Sequence, residues 1–112
     1  MNKGRIKSGE VINLETLKDG MSKQATFALA KTEDMEVIRM VLPRGKSISE
    51  HSVKGELSVQ CLKGEVFFRI GEEARTLTED DWLFLGPDAP HSLHAKEDTV
   101  LLLTILFTNS DQ

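Results

Sequence analysis

Apolar residues along most of this chain recur at every second position or in short continuous runs, and turn-forming residues separate the runs at about ten-residue spacing. Successive strand residues point to opposite faces of a sheet, so a period of two predicts β-strands with one buried and one solvated face. One turn of helix is predicted over 13–18, with Asn13 as its N-cap and Gly20 closing it. The predicted strands are 24–31, 36–42, 47–53, 57–63, 65–70, 74–77, 82–85, 91–95 and 99–108. Such a series is typical of an antiparallel β-sandwich or barrel.

The last predicted strand departs from this alternation. From Val100 to Phe107 it is apolar on both faces, apart from Thr104, whereas a strand with one solvated face should alternate. The run 36–42 shows a weaker form of the same feature. We therefore expect the outer face to meet another sheet or another subunit, which predicts a homodimer joined sheet against sheet.

The composition is that of one domain of ordinary size. A chain of 112 residues can bury a core without metal or disulfide staples. Its 14 basic and 18 acidic side chains give a net charge of −4, which argues against nucleic acid as a partner, since phosphate binding needs a clustered basic surface. The single cysteine, Cys61, excludes a disulfide within the chain and favours a reducing compartment. No leader and no run long enough to span a bilayer is recognised, so we expect a cytoplasmic protein without a membrane partner.

Two segments that end in histidine carry the candidate chemistry. The first is 42–51, with the sequence LPRGKSISEH, and the second is 80–91, with the sequence DDWLFLGPDAPH. Together they resemble the two motifs of the cupin family. The resemblance implies an all-β fold, an antiparallel double-stranded β-helix or jelly-roll barrel. It also implies a single domain over 1–112, with an N-terminal strand segment at about 1–34, a motif core at about 42–95 and a C-terminal strand at about 99–108.

The match to the first motif keeps Gly45, His51 and the final glycine, Gly64, but loses two metal ligands. Val53 stands where the family has a second histidine, and Leu57 stands where it has a glutamate. In the second motif His91 is kept. A conventional four-ligand cupin enzyme is therefore disfavoured. Cupins include dioxygenases, isomerases, sugar-binding proteins and storage proteins, so the fold alone does not fix the function.

The retained histidines, His51 and His91, are the candidate metal ligands. Imidazole is a common ligand of divalent Fe, Zn and Ni, so the pair is the candidate site for one divalent metal ion: Fe, Zn, Ni or Mn. Glu56 could add a carboxylate only if a β-bulge at Lys54-Gly55 turned it inward. Without a metal, the two histidines would face each other across an apolar pocket.

Alternation along the strands predicts which side chains share the barrel interior. Ser49 and Val53 should lie on the side of His51, while His94 should lie on the face opposite His91. The predicted ligand pocket is lined by Val53, Leu57, Val59, Cys61, Phe68 and Phe84.

Three functions remain open from the sequence, and it does not decide whether the protein is an enzyme. The first is a small cupin that binds a small organic ligand, with or without a reduced two-histidine metal site. The second is a metal-dependent enzyme of the oxygenase, isomerase or lyase type, in which His51 and His91 hold the metal. The third is a non-catalytic dimeric interaction module with structural histidines.

Overall fold

The computed structural model describes residues 6–18 and 26–108, which form one short helix and nine strands. The elements are α1 (Leu14–Leu17), β1 (Phe27–Lys31), β2 (Met35–Leu42), β3 (Ser47–His51), β4 (Gly55–Lys63), β5 (Glu65–Ile70), β6 (Glu73–Thr78), β7 (Trp82–Leu85), β8 (His91–Ala95) and β9 (Thr99–Phe107). Every predicted strand is present with small shifts at its ends; residues 24 and 25 of the first lie outside the described residues. The all-β prediction is confirmed.

The strands form two antiparallel sheets packed face to face. One has five strands in the order β1-β2-β9-β4-β7, and the other has four in the order β3-β8-β5-β6. Strands distant in the chain are neighbours in both sheets, as in a jelly roll, where the chain winds back and forth between the two layers. The predicted jelly-roll barrel is therefore the observed architecture.

The core lies between the two sheets, and the period-two pattern of the sequence produces it directly. Leu57, Val59 and Cys61 of β4 point inward, and each is at most 2% exposed. Val66 and Phe68 of β5 face them from the other sheet and are equally buried. At about 25 cal/mol for each Å² of apolar surface removed from water, this burial is the main stabilising contribution to the fold.

The outer face of β9 is partly covered by the chain itself. A second cluster packs Leu17 of α1 against Leu29, Leu62 and Val100 on the outer side of the five-stranded sheet. The buried Arg39 fixes this contact, because its Nε donates a hydrogen bond of 2.8 Å to the carbonyl oxygen of Leu17. Over this part of the face, α1 provides the cover that the sequence assigned to another sheet or subunit.

The short helix starts as predicted. The Asn13 side chain accepts a hydrogen bond of 2.8 Å from the backbone N–H of Glu15, which makes it the N-cap. Gly20, the predicted end signal, lies outside the described residues. Within the described part of the chain there is no helix long and apolar enough to cross a membrane.

The two glycines that the motif resemblance singled out have different surroundings. Gly45 has φ of +87° and Gly64 has φ of +96°, a region that side chains disfavour. A Cβ atom on Gly45 would meet nothing within 4 Å. On Gly64 it would lie 2.3 Å from the carbonyl oxygen of Asp98, so Gly64 is also required by the close approach of that backbone.

This difference predicts unequal costs for two alanine substitutions. Gly45→Ala should lower the free energy of unfolding by about 1–2 kcal/mol through backbone strain alone. Gly64→Ala should lower the free energy of unfolding by about 1–3 kcal/mol more than Gly45→Ala does, because the new methyl group displaces the backbone near Asp98. Urea unfolding of both variants and the wild type measures the difference. Equal losses would contradict the assigned role of the close contact.

Candidate functional site: a histidine pair between neighbouring strands

His51 and His91 lie side by side, although they are far apart in the chain. They are paired across β3 and β8, and their ring centroids are 4.3 Å apart with an interplanar angle of 59°. His91 is buried, at 2% exposure, whereas His51 is exposed. The pair therefore has one ring anchored in the protein and one ring open to solvent.

A β-bulge in β3 produces this pairing. Ile48 pairs with Leu93 and His51 pairs with His91, so β3 uses one residue more than β8 over the same interval. The extra residue resets the alternation and puts Ile48 and His51, three positions apart, on the same face. The prediction that Ser49 shares the face of His51 is therefore wrong, since Ser49 lines a groove on the outer side of the sheet.

Both rings are oriented by the same local contact. The Nδ1 atom of His51 lies 3.0 Å from the carbonyl oxygen of Ser49, and that of His91 lies 2.9 Å from the carbonyl oxygen of Ala89. A carbonyl oxygen only accepts hydrogen bonds, so Nδ1 carries the proton in each ring. In the neutral state both Nε2 atoms consequently keep a free lone pair.

The surroundings of His91 favour its neutral form. Desolvation by burial lowers the pKa of His91, and a positive charge on His51 would lower it further. The hydrogen bond to Ala89 opposes this shift but is outweighed. The His91 ring also stacks on Phe68, at a centroid distance of 6.0 Å and an interplanar angle of 22°.

The predicted interior residues from β4 and β5 form packed core rather than an open lining. Leu57, Val59, Cys61 and Phe68 belong to one buried cluster, and Val53 packs against it while partly exposed. The Cys61 Sγ donates to the carbonyl oxygen of Lys63 at 3.5 Å. Burial raises the pKa of the Cys61 thiol to about 11, so the thiol is protonated at neutral pH.

Phe84 and Glu56 lie on the other side of the five-stranded sheet, away from the histidines. Phe84 pairs with Ser58, is 52% exposed and stacks with Trp82 at 6.5 Å. The prediction that Phe84 lines the interior is wrong because the register places it beside the outward-facing Ser58. The bulge needed to turn Glu56 inward is absent, since the pairing of β4 with β9 is regular from Gly55 to Cys61.

The metal-ligand set is accordingly limited to the two imidazoles. Among residues 6–18 and 26–108, no group of three or more His, Cys, Asp or Glu side chains could hold a metal ion. His94, the third histidine, projects from the outer face as predicted and is exposed. The sequence did not reveal its hydrogen bond of 2.6 Å with the Ser47 hydroxyl, which depends on the pairing of β3 with β8.

Comparison with known proteins identifies the fold through solved structures. No family model and no curated protein matches the sequence. A cupin superfamily protein from Desulfitobacterium hafniense superposes with a TM-score of 0.80 at 20% identity, covering 93% of this chain and 96% of that one. A conserved protein of unknown function from Streptococcus pyogenes gives 0.77 at 22% identity, covering 95% and 94%. The DMSP lyase of Ruegeria pomeroyi gives 0.65 at 20% identity, covering 79% of this chain and 48% of the lyase.

The environment of His91 predicts a pH-dependent stability. Because its folded-state pKa lies below the unfolded value of about 6.5, the unfolded chain takes up the proton first as the pH falls. The free energy of unfolding should therefore decrease below about pH 6.5, by at most about 1.4 kcal/mol per pH unit for one proton. His91→Gln should flatten this dependence, and the exposed His94→Gln should leave it unchanged. Urea unfolding between pH 7.5 and 5, with chelator present, measures the three slopes. Parallel slopes for the wild type and His91→Gln would contradict the assignment.

Proposed function

Because this chain has the cupin fold, we propose that it binds a small organic ligand at the His51–His91 pair. The observation that supports this proposal is the orientation of the two rings. Each Nδ1–H is held by a backbone carbonyl, and each Nε2 is left to bind a ligand. Two oriented imidazoles at one position, one buried and one exposed, form a fixed pair of donor or acceptor atoms.

The residues around the pair favour a ligand with an apolar body. Ile70 is the cross-strand partner of His91, and Val53 follows His51 at a spacing of two; both are partly buried and pack on the core. The backbone N–H of Asp88 donates to the carbonyl oxygen of Val53 at 3.0 Å, which ties the segments after β3 and before β8 together. The two histidines are thereby held in a fixed relation before any ligand arrives, which reduces the entropy lost on binding.

The pair also fits one divalent metal, with His51 and His91 as the protein ligands. Histidines that bind metals usually donate their second ring N–H to a carbonyl or carboxylate, as both do here. Two ligands leave several coordination positions open, so a ligand with its own oxygen or nitrogen donors would complete the site. A bound Fe, Zn, Ni or Mn ion would polarise such a ligand as a Lewis acid. The metal-dependent oxygenase, isomerase or lyase is thus the second candidate, and it requires the same two residues.

The ligand proposal predicts a stabilisation that depends on both histidines. Metal-free protein and protein supplied with Fe, Zn, Ni or Mn are screened against a metabolite library by thermal unfolding. A ligand present at 100 times its dissociation constant should stabilise the wild type by about 2.7 kcal/mol. His51→Ala and His91→Ala should each abolish this effect, while His94→Ala, on the outer face, should retain it.

The same experiment distinguishes the two candidates. Stabilisation that needs added metal, together with metal content near one ion per chain that is lost in His51→Ala, would favour the metal-dependent enzyme. Stabilisation without metal would favour the simple binding protein. A library that yields no stabilising compound in either condition, or a compound that still stabilises His51→Ala, would contradict the ligand site.

We further propose that the chain forms a homodimer through the uncovered part of the five-stranded sheet. Trp82, Phe84 and Leu106 are 62%, 52% and 48% exposed, and they surround a depression of about 180 Å³ whose floor includes Ser58 and Thr104. An apolar group of this kind beside the cover formed by α1 is a typical subunit contact. A two-fold dimer would place the same aromatic pair of both chains in contact.

The dimer proposal predicts a mass of two chains by sedimentation at micromolar concentration, against 12.5 kDa for one chain. The double substitution Trp82→Ser with Phe84→Ser should weaken dimerisation by about thirtyfold or more, because buried aromatic residues dominate interface energies. Phe67→Ser is the matched control, since Phe67 is 40% exposed on the other sheet. A wild-type mass of one chain would contradict the proposal.

A further inference from the structure

The outer face of the four-stranded sheet carries a groove that the histidine pair does not use. Its volume is about 760 Å³, within the range of about 300–1,000 Å³ usual for small-molecule sites. The side chains that matter for its chemistry are Ser47, Glu50, Phe67, Arg69, Ser92 and His94. His94 is three positions from His91 on β8, so the two side chains point to opposite faces of the sheet. Phe67 is the cross-strand partner of His94 and shares its face, so the groove lies on the face opposite the histidine pair.

Small residues on either side of β5 form this groove. Ser92 and Ala74 flank Arg69 on the neighbouring strands, and Thr76 flanks Phe67. Because these neighbours have short side chains, the Phe67 ring and the Arg69 guanidinium project from the sheet beyond the residues that form the bottom of the groove. Because these two residues are two positions apart on one strand, their Cα atoms are about 7 Å apart on the same face.

The Arg69 guanidinium is available for a ligand. It is exposed, and no other side chain or carbonyl in the described part of the chain forms an ion pair or hydrogen bond with it. By contrast, Arg75 on the next strand is paired with Glu73. A free guanidinium presents a planar set of N–H donors that matches the two oxygens of a carboxylate.

The neighbouring groups define the rest of the ligand. Phe67 is 40% exposed and supplies apolar ring surface, while the Lys96 Nζ lies 4.8 Å from its centroid and adds a positive charge beside the ring. His94 is held by its hydrogen bond of 2.6 Å with Ser47, so its ring is a fixed wall of the groove. Glu50 lies on β3, two strands from Arg69 and therefore about 10 Å away, where it disfavours a second negative charge.

We propose that this groove is a second ligand site, for a small organic monocarboxylate with a flat or ring-shaped body. The carboxylate binds Arg69, the body lies along Phe67, and the hydroxyls of the floor hydrogen-bond to polar substituents. The groove is also lined by the apolar residues Ile48, Phe68, Ala74 and Leu93, so it combines apolar surface with the charged Arg69 and the hydroxyls of Ser92 and Thr76. This combination favours a small ligand that has an apolar body and one anionic group.

Benzoate is the probe that tests this proposal, with benzamide and acetate as matched probes that lack the charge or the ring. Amide chemical shifts of the ¹⁵N-labelled full chain are followed during titration with each compound. Benzoate should perturb Phe67, Arg69 and Ser92, and benzamide and acetate should each bind about tenfold more weakly or worse. Arg69→Gln should weaken benzoate binding by about tenfold or more, the loss expected when a charge-assisted pair is removed. Arg75→Gln, an exposed arginine with its own partner, should change nothing.

Several results would overturn the second site. These are equal binding of benzoate and benzamide, perturbations centred on His51 and His91, and benzoate affinity unaffected by Arg69→Gln. Perturbations confined to a dimer contact that dilution removes would also overturn it. The His51→Ala with His91→Ala variant should bind benzoate as the wild type does, so this site and the proposed histidine site succeed or fail separately.

Discussion

The packing of two sheet faces against each other is the constraint on which the rest of this molecule depends. Val59 and Cys61 on one sheet, and Val66 and Ala95 on the other, are completely buried. A core this dense offers no space for a ligand at these positions and keeps the Cys61 thiol protonated. The groups with binding chemistry are therefore found where the packing ends, at the histidine pair, or outside the sheets altogether.

One extra residue in β3 converts this scaffold into a candidate site. Without the bulge, strict alternation would put His51 on the face opposite Ile48, beside the outward groups of the sheet. With it, His51 contacts His91, and each ring is oriented by a carbonyl two residues earlier in its own strand or turn. Irregular pairing next to a site is a common way of aiming a side chain. The orientation of both Nε2 atoms is the consequence of this local geometry.

The outer faces of the two sheets have different chemistry, and the partners that we propose for them differ accordingly. The five-stranded sheet is covered over part of its surface by α1, with Arg39 bonded to the end of the helix, and the remainder exposes Trp82 and Phe84. The four-stranded sheet exposes hydroxyls, the ring of Phe67 and the guanidinium of Arg69. An apolar surface is stabilised by excluding water from a large area, whereas a groove that contains a charged side chain also binds through a few directed contacts. A second subunit suits the first face, and a small anion suits the second.

The sequence by itself determined the strands and a sandwich or barrel, because a period of two and the turn residues between runs are local signals. The jelly roll and the two candidate histidines followed from the resemblance of two segments to the cupin motifs. It also marked Gly45 and Gly64, whose backbone angles favour glycine. Only the tertiary structure decided the bulge before His51, the outward side of Phe84, the cover that α1 gives β9, and the placement of Arg69 beside Phe67 above a low floor. Each of these depends on which residue of one strand pairs with which residue of another. A shift of one position reverses every side chain of a strand, and no local pattern in the chain specifies that register.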